Sequence, residues 1–292
     1  MNFIFYLHDE PSTETFERKL LWFKKRYNLV SNKEIEQCLL EGKTLHNACH
    51  LTVDDGWLST YRVIFPVIKK YSIPITIFVS PEIAKTGRNF WYKDYPKYDE
   101  QILRSMLVEE GYFSSKLEKY PLDLILKEMN IASVYDLLAV YRKRFHCGIP
   151  ERGFVNVEEL REMSASGLVE IGAHTMSHPI LTNETAETAL SEIRKSVKQL
   201  SELLDKEICT FAYPNGLYDL DFTQRDMEYV RQCGIKTAFS VNPGMLSKAT
   251  DPLNIPRVGS QKRLQLGRAG LYLPSLHNQA APRKDIRSFR LK

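Results

Sequence analysis

No run of apolar residues in this 292-residue chain approaches the roughly 20 residues that a membrane-spanning helix needs. The longest apolar stretch near the start, Phe3 to Leu7, is too short for the apolar region of a signal peptide. It also lacks a basic flank and a small-residue cleavage site. The sequence therefore predicts a cytoplasmic protein with neither a signal peptide nor a transmembrane segment.

Cysteine pairing signals are also absent. The five cysteines are odd in number, and none of them stands in the C-x-x-C spacing of zinc knuckles and redox motifs. They are scattered along the chain at Cys38, Cys49, Cys147, Cys209 and Cys233. We expect reduced thiols rather than a disulfide framework.

The formal net charge of +4 arises in the C-terminal tail. Residues 261–292 hold eight Lys or Arg against one acid, Asp285, whereas residues 1–260 are slightly acidic. This distribution argues against nucleic-acid binding by the main domain. A basic tail fits loose docking on an anionic membrane surface, and the alternative is a solvated tail without a partner.

Strand-like apolar runs alternate with amphipathic helical stretches, and no internal repeat is apparent. With 43% hydrophobic and 26% charged residues, the chain has the composition of a globular domain, and the alternation predicts parallel β/α construction rather than a sandwich. The strand candidates are Asn2 to Leu7, Ala48 to Val53, Pro74 to Val79, Leu168 to Ala173, Ile208 to Tyr213, Thr237 to Val241 and Asn254 to Val258. Helical spacing appears in two apolar stripes, Tyr61, Ile64, Phe65 and Ile68, and Leu190, Ile193, Val197, Leu200 and Leu204.

A stretch rich in Tyr, Leu and Lys, from about residue 85 to 150, interrupts this alternation. We interpret it as a helical insertion in a domain that spans residues 1–260, followed by the basic tail 261–292. The front of the insertion, residues 90–95, contains aromatic residues that include Trp91. These rings could stack on sugars, but aromatic residues at such a position more often pack an insertion onto the body of the domain.

Two short motifs each follow a run that reads as a buried strand. The first is the Asp-Asp-Gly run 54–56, and the second contains His174 and His178. The carboxyl ends of parallel strands are where α/β proteins place their chemistry. Successive side chains of a strand face opposite ways, so Asp54 and Asp55 need a turn at Gly56 to serve one site. One carboxylate could then bind a metal and the other remain free as a base.

The two histidines suit a shared metal ion. Four residues apart, His174 and His178 would lie on one face of a helical turn, which Pro179 confines to a short turn after the strand. Zinc is the default ion for two imidazoles and a carboxylate with an open position, although other divalent ions fit. Non-haem iron oxygenases use a similar ligand set, but they more often present closely spaced ligands on an all-β scaffold.

With these motifs the chain resembles the polysaccharide deacetylase group (NodB homology, carbohydrate esterase family 4) from about Phe5 to Ser260. The group's first motif, typically Thr-Phe-Asp-Asp-Gly, appears as Thr-Val-Asp-Asp-Gly at 52–56, and its second, His-Ser/Thr-x-x-His, at 174–178. Further matches follow in the group's order at 160–163, 167–172, 211–216 and 255–257. The resemblance implies a distorted or incomplete (β/α) barrel.

The resemblance also implies roles for the site residues. Asp55, His174 and His178 become the metal ligands, Asp54 the general base, and the backbone N–H of Asn215 an oxyanion donor. Candidate substrate-binding residues are Tyr213, Trp57 and Trp91. The group often carries an arginine two places before the proline of the 211–216 motif, where this chain has Ala212, so the partner of the base is open.

The group's last motif usually supplies a histidine as general acid, but residues 253–260 contain none. His8, at the end of the first strand candidate, is our candidate acid or substrate contact. His277 stands in a different setting and does not inherit the role. We expect His46, His50 and His146 to be surface or strand-entry residues.

The sequence therefore predicts a metal-dependent hydrolase that removes N- or O-acetyl groups from a sugar or polysaccharide. An amidohydrolase or deformylase of the same fold, acting on another amide, would use the same residues. A non-catalytic carbohydrate-binding relative is a further alternative, because the arginine and the histidine of the group are missing.

Overall fold

The computed structural model describes residues 1–113, 117, 119–148, 150–259 and 277–287. Within these residues, no helix combines the length and the apolar character needed to cross a membrane.

Eight parallel strands form one sheet in the described part of the chain. They are β1 (Phe3–Leu7), β2 (Asn28–Leu29), β3 (Ala48–Val53), β4 (Ile75–Val79), β5 (Val169–Ala173), β6 (Thr210–Ala212), β7 (Thr237–Phe239) and β8 (Val258–Gly259). Their order is β7-β6-β5-β4-β3-β1-β8, and β2 pairs with β3 beside this path. The predicted parallel β/α construction is confirmed.

The sheet curls because its last segment touches both of its edges. Ile255 forms an isolated parallel bridge with Phe239 of β7, and three residues later Val258 pairs with Phe5 of β1. Pro256, which has no N–H to donate, lies between these two contacts. The closure is thus a short, kinked crossing rather than a full strand, and the prediction of a distorted (β/α) barrel is confirmed.

Helices surround the sheet. They are α1 (Thr13–Arg26), α2 (Asn32–Leu40), α3 (Phe65–Tyr71), α4 (Pro81–Thr86), α5 (Trp91–Asp94), α6 (Glu100–Glu109), α7 (Leu122–Leu126), α8 (Ile131–Arg144), α9 (Val157–Ala165), α10 (Ala186–Leu204), α11 (Gln224–Gln232) and α12 (His277–Arg287). The predicted stripe on α10 faces the core through Ile193 and Leu200, which are fully buried. Ile64 and Ile68 of the other predicted stripe are buried in the same cluster.

The segment between β4 and β5 carries its own apolar cluster. Helices α5 to α8 bury Trp91, Leu103, Leu137 and their neighbours together, separately from the cluster that contains the barrel strands. The segment is therefore a small helical unit packed against the barrel. The insertion at about residues 85–150, within a domain of residues 1–260, stays a prediction.

Helix α12 brings part of the basic tail into this unit. Arg283, 2% exposed, donates hydrogen bonds to Glu128 and, at 2.6 Å, to Asp221, and Arg287 also pairs with Glu128. These two arginines are engaged within the protein and do not add to a docking surface. Residues 261–276 and 288–292 of the tail lie outside the described residues, so membrane docking by the tail stays a prediction.

The histidines expected at the surface or at strand entries differ in their environment. His46 and His146 are exposed, but His50, in the middle of β3, is fully buried. One ring nitrogen of His50 bonds the carbonyl of Val30 at 2.8 Å, and the other bonds the hydroxyl of Thr76 at 2.9 Å. The expectation for His50 is wrong, because the two ring nitrogens find partners inside the sheet.

Candidate active site

Neighbouring parallel strands bring the two motifs to one rim of the barrel. Asp54 and Asp55 follow β3, and His174 follows β5, with β4 between them. The hydrogen-bond ladder continues one residue beyond the strands, since Asp54 N–H donates to the carbonyl of Leu7 (3.0 Å) and His174 N–H to that of Val79 (3.1 Å). The backbone around the site is therefore fixed by the sheet itself.

A turn at Gly56 separates the two carboxylates, as the sequence predicted. Asp55 has φ 70° and Gly56 has φ 67°, so both residues stand in the left-handed region. A Cβ on Gly56 would lie 2.8 Å from a methyl carbon of Val79 and 3.1 Å from one of Val155. Both the backbone conformation and the lack of space require glycine, and the turn lets Asp54 and Asp55 enter the site from different directions.

Asp55, His174 and His178 converge on one point. Asp55 Oδ1 lies 3.3 Å from His178 Nε2 and 3.6 Å from His174 Nε2, and all three side chains are buried. In the described part of the chain, this is the one group of three ligating side chains whose donor atoms lie within 4.8 Å of one another. Burial raises the pKa of Asp55, but the adjacent imidazoles lower it further, so its pKa lies well below the usual value.

The hydrogen bonds around these residues fit a cation between them. His174 Nδ1 lies 2.7 Å from the carbonyl of Ala212, which requires a proton on Nδ1 and leaves a lone pair on Nε2. Trp57 Nε1 donates to Asp55 Oδ2 at 3.1 Å, whereas the buried Asp55 Oδ1 has no hydrogen-bond partner. An unpartnered carboxylate oxygen facing an imidazole lone pair is unfavourable without a positive charge. This donor set fits one divalent ion.

The loop that carries the histidines is held by α10 rather than by helical hydrogen bonds. Thr175 and His178 have φ 60° and 65°, so the expected helical turn does not form. The carboxylate of Glu192 accepts the backbone N–H groups of Met176 (2.9 Å) and Ser177 (3.0 Å), and the hydroxyl of Ser177 (2.9 Å). Glu192 therefore replaces the helical hydrogen bonds and fixes the loop.

Arg257 is the partner of Asp54 that the sequence left open. Its Nη1 donates to Asp54 Oδ1 at 2.6 Å and its Nη2 to Oδ2 at 2.9 Å. The same guanidinium also donates to the hydroxyl of Thr52 (3.1 Å) and the carbonyl of Ser240 (2.9 Å). It lies among three rings, those of Tyr6, Phe78 and Phe239, with centroids at 5.2, 5.6 and 6.0 Å. Arg257 thus anchors Asp54 from inside the barrel.

This environment keeps Asp54 ionised. Burial alone would raise the pKa of its carboxyl group, but the charge of Arg257, with smaller contributions from the nearby imidazoles, outweighs burial and holds the pKa below its usual value. A bidentate guanidinium occupies one lone pair of each carboxylate oxygen and leaves others available. Asp54 can therefore accept a proton while its orientation is fixed.

The turn after β6 contains two further predicted residues, which differ in their access to the site. Asn215 is half-buried with φ 56°. Tyr213 is 1% exposed, stacks on Phe222 with ring centroids 3.7 Å apart, and donates its hydroxyl to the carbonyl of Leu253. The side chain of Tyr213 is therefore part of the core, and the structure does not place it where a sugar could touch it.

Of the remaining predicted residues, His8 and Trp57 lie at the site and Trp91 does not. His8 is exposed at the end of β1, with its ring edge on Tyr6, and it is near enough to lower the pKa of both site carboxylates. Trp57 is half-buried and bonds Asp55. Trp91 lies in the apolar cluster of the insertion at 5% exposure, so the structure does not bring it to the site.

Sequence reasoning missed three residues that shape the site: Arg257, Glu192 and Tyr92. Arg257 belongs to the Ile-Pro-Arg run at 255–257, and the missing arginine at position 212 was the signal that another should be sought. Tyr92 is the immediate neighbour of Trp91, and its ring lies 5.5 Å from that of His178. No local pattern distinguishes Glu192 from other acids on α10.

The chain is similar in sequence to known proteins. Poly-beta-1,6-N-acetyl-D-glucosamine N-deacetylase of Staphylococcus aureus is 22% identical over 273 residues, which cover 88% of this chain and 72% of the relative. A putative polysaccharide deacetylase of Bacillus subtilis, YxkH, is 20% identical over 263 residues, or 89% of this chain and 69% of the relative.

Solved structures share the fold. IcaB from Ammonifex degensii superposes with a TM-score of 0.60 and 20% identity, over 89% of this chain and 91% of its own. Streptococcus pyogenes deacetylase PplD, in complex with acetate, superposes with a TM-score of 0.59 and 17% identity, over 88% and 91%. Residues 41–238, well over half of the chain, match the sequence model of the family named polysaccharide deacetylase. The resemblance seen in the motifs is confirmed, and the chain belongs to the polysaccharide deacetylase family.

Proposed function

We propose that this protein hydrolyses acetyl groups from an acetylated sugar or glycan in a metal-dependent reaction. One observation carries the proposal: three buried side chains that can ligate a metal converge, and Arg257 holds the adjacent Asp54 carboxylate ionised. The poly-N-acetylglucosamine deacetylase among the relatives makes an N-acetylated glucosamine polymer the first substrate to try.

Asp55, His174 and His178 would hold the ion, and zinc is the metal that two imidazoles and one carboxylate favour. A bound ion would act as a Lewis acid toward the acyl oxygen and would lower the pKa of a nearby water. The hydrogen bonds from His174 to Ala212 and from Trp57 to Asp55 would keep these ligands oriented.

The chain's own groups account for the proton transfers. Asp54 takes a proton from the water that attacks the acyl carbon. The N–H of Asn215 donates to the acyl oxygen as negative charge develops there. His8 then gives a proton to the leaving nitrogen or oxygen of the sugar as its bond to the acyl carbon breaks, and acetate is the other product. Arg257 acts through Asp54 and is a positioning residue.

The test combines metal analysis with acetate release from a panel of acetylated glycans. We expect about one divalent ion per chain and acetate release that a chelator abolishes. Asp54→Asn should keep the ion and lose about a hundred- to ten-thousand-fold in turnover. Asp55→Asn should instead weaken binding of the ion. If Asp54→Asn loses the ion and Asp55→Asn keeps it, the two roles are exchanged.

Two alternatives predict different results in the same assay. An amidohydrolase or deformylase of this fold would release formate or another acid from its own amide and leave the glycan panel intact. A non-catalytic carbohydrate-binding relative would bind glycans and release nothing. The absent arginine at position 212 suggested the second alternative, but Arg257 supplies a guanidinium to Asp54, which favours an active base.

A further inference from the structure

Tyr92 projects from the insertion into the candidate active site. It lies on α5, and its ring meets that of His178 at 5.5 Å in an edge-to-face contact. The ring stacks on Phe90 at 5.2 Å, and its centroid lies 6.1 Å from that of Trp57, the residue that bonds Asp55. Tyr92 therefore contacts one proposed metal ligand and the residue that orients another.

The hydroxyl of Tyr92 is buried and has no hydrogen-bond partner among the described residues. Leaving a buried hydroxyl unpaired is unfavourable, and phenylalanine would fill the same space without that penalty. A phenol hydroxyl is protonated at neutral pH, so this group is a hydrogen-bond donor on a ring that contacts His178.

We propose that the Tyr92 hydroxyl is a catalytic group that donates a hydrogen bond to an oxygen of the acyl group and, after hydrolysis, to acetate. The inference rests on the proposed function. An acyl group that reacts beside Asp55 and His178 would bring its oxygen close to this buried donor. The insertion would then supply one wall of the acyl pocket through Phe90 and Tyr92, next to Trp57 of the barrel.

A different role would be to orient Asp55, with the hydroxyl donating to that carboxylate and nothing else. The two roles differ in what a hydroxyl deletion changes. Loss of an acyl contact weakens acetate binding and lowers turnover while the metal stays. Loss of a contact that orients a ligand lowers the affinity for the metal, and turnover then falls in proportion to the metal lost.

The experiment compares wild type, Tyr92→Phe and Tyr135→Phe, each loaded with zinc. Tyr135 is a matched control, because its hydroxyl is also buried and unpartnered and lies on α8 of the same insertion. Zinc affinity is measured by chelator competition, acetate affinity by titration of the zinc-loaded protein, and kcat and KM on the best substrate of the panel.

We expect Tyr92→Phe to bind zinc within about twofold of wild type, to bind acetate about tenfold more weakly, and to lose about a hundredfold in kcat. Tyr135→Phe should match wild type in all three. Unchanged acetate affinity in Tyr92→Phe overturns the proposal, and so does a loss of zinc affinity that accounts for the whole loss of activity. If wild type releases no acetate from any substrate, the proposed function fails, and the acetate titration still decides the role of Tyr92.

Discussion

Arg257 and Asp54 form a bidentate ion pair inside the barrel, although 203 positions separate them in the chain. The pair exists because the segment that closes the sheet places Arg257 between its contact with β7 at Ile255 and its contact with β1 at Val258. Removing two charges from water is unfavourable, and the additional hydrogen bonds to Thr52 and Ser240 offset part of that penalty. Closure of the sheet and orientation of the Asp54 carboxylate therefore depend on the same short segment.

The first prediction concerns the pH dependence that this pair sets. Because Arg257 lowers the pKa of Asp54 and burial raises it, removal of the guanidinium should raise that pKa. Arg257→Ala should keep the metal, lose about a hundredfold or more in kcat/KM, and move the acid limb of the pH profile to higher pH. Added guanidinium should restore part of the activity.

Kinetics across pH on the metal-loaded protein check this prediction, with Arg257→Lys as the companion variant. Lysine keeps the positive charge but cannot make the bidentate contact, so we expect an intermediate loss and a smaller shift of the acid limb. If the acid limb of the pH profile lies at the same pH in wild type and in both variants, Asp54 is not the group whose titration causes that limb.

The second prediction concerns the ion. His174→Ala and His178→Ala should each remove most of the bound metal, since each variant leaves only two of three ligands. Elemental analysis of the purified variants checks it, and the exposed His46→Ala is the control. Equal metal in wild type and in both site variants would contradict the ligand assignment.

The third prediction tests His8. If it serves as the acid or contacts the reacting sugar, His8→Ala should lower kcat and leave the metal content intact, because His8 stands at the rim and bonds none of the ligands. The measurement is turnover on a substrate that wild type hydrolyses, with metal content determined on the same sample. Unchanged kinetics would leave His8 as a polar residue at a strand end.

Much of this architecture is legible in the sequence, and the limits have physical causes. The run Ala48–Val53 is a strand with the predicted bounds because all six of its residues are buried in the centre of the sheet. The predicted strands Ile208 to Tyr213 and Asn254 to Val258 are shorter in the structure, at Thr210–Ala212 and Val258–Gly259. Apolar residues extend beyond the hydrogen-bonded part there, so hydrophobicity overestimates pairing. The two-residue strand β2 is absent from the predicted strands, because two residues are too few to show a pattern of apolar and polar positions.

The candidate site, like the fold, can be predicted from the sequence only in part. Both motifs, and the turn at Gly56, follow from local patterns that the strands then bring together. The sequence does not show which of the neighbouring residues Trp91 and Tyr92 lies at the site. Helix α5 places the side chain of Trp91 in the apolar cluster of the insertion and that of Tyr92 against His178. Arg257 was equally inaccessible, since only the closure of the sheet brings it to Asp54.

The fourth prediction follows from His50, the buried histidine of β3. Burial lowers its pKa from 6.5 to about 4, although the hydrogen bond to Val30 opposes the shift. The unfolded chain therefore takes up a proton between pH 6.5 and about pH 4, whereas the folded protein does not. His50 should lower the free energy of unfolding by about 3 kcal/mol as the pH falls through this window, with no contribution above it.

Denaturant unfolding between pH 4 and pH 7.5 checks this prediction. His50→Gln should flatten the pH dependence in this window, and the exposed His46→Gln should leave it unchanged. A wild-type slope that survives in His50→Gln would assign the pH dependence to other groups.

The last prediction concerns the buried charges that attach the C-terminal helix. Arg283 lies between Glu128 of the insertion and Asp221, two carboxylates that are at most 1% exposed. Asp221 in turn accepts the N–H of Leu217 at 2.8 Å, two residues after Asn215. Arg283→Met would leave both carboxylates buried without this partner, so we expect the free energy of unfolding to fall by about 3 to 5 kcal/mol.

Lys284→Met, an exposed neighbour on the same helix, should change the free energy of unfolding by less than about 0.5 kcal/mol. Because Asp221 bonds Leu217, two residues beyond Asn215, Arg283→Met should also lower kcat under conditions where the protein is still fully folded. Equal unfolding free energies for the two variants would show that α12 does not rely on this ion pair, and the link from the tail to the candidate active site would then be lost.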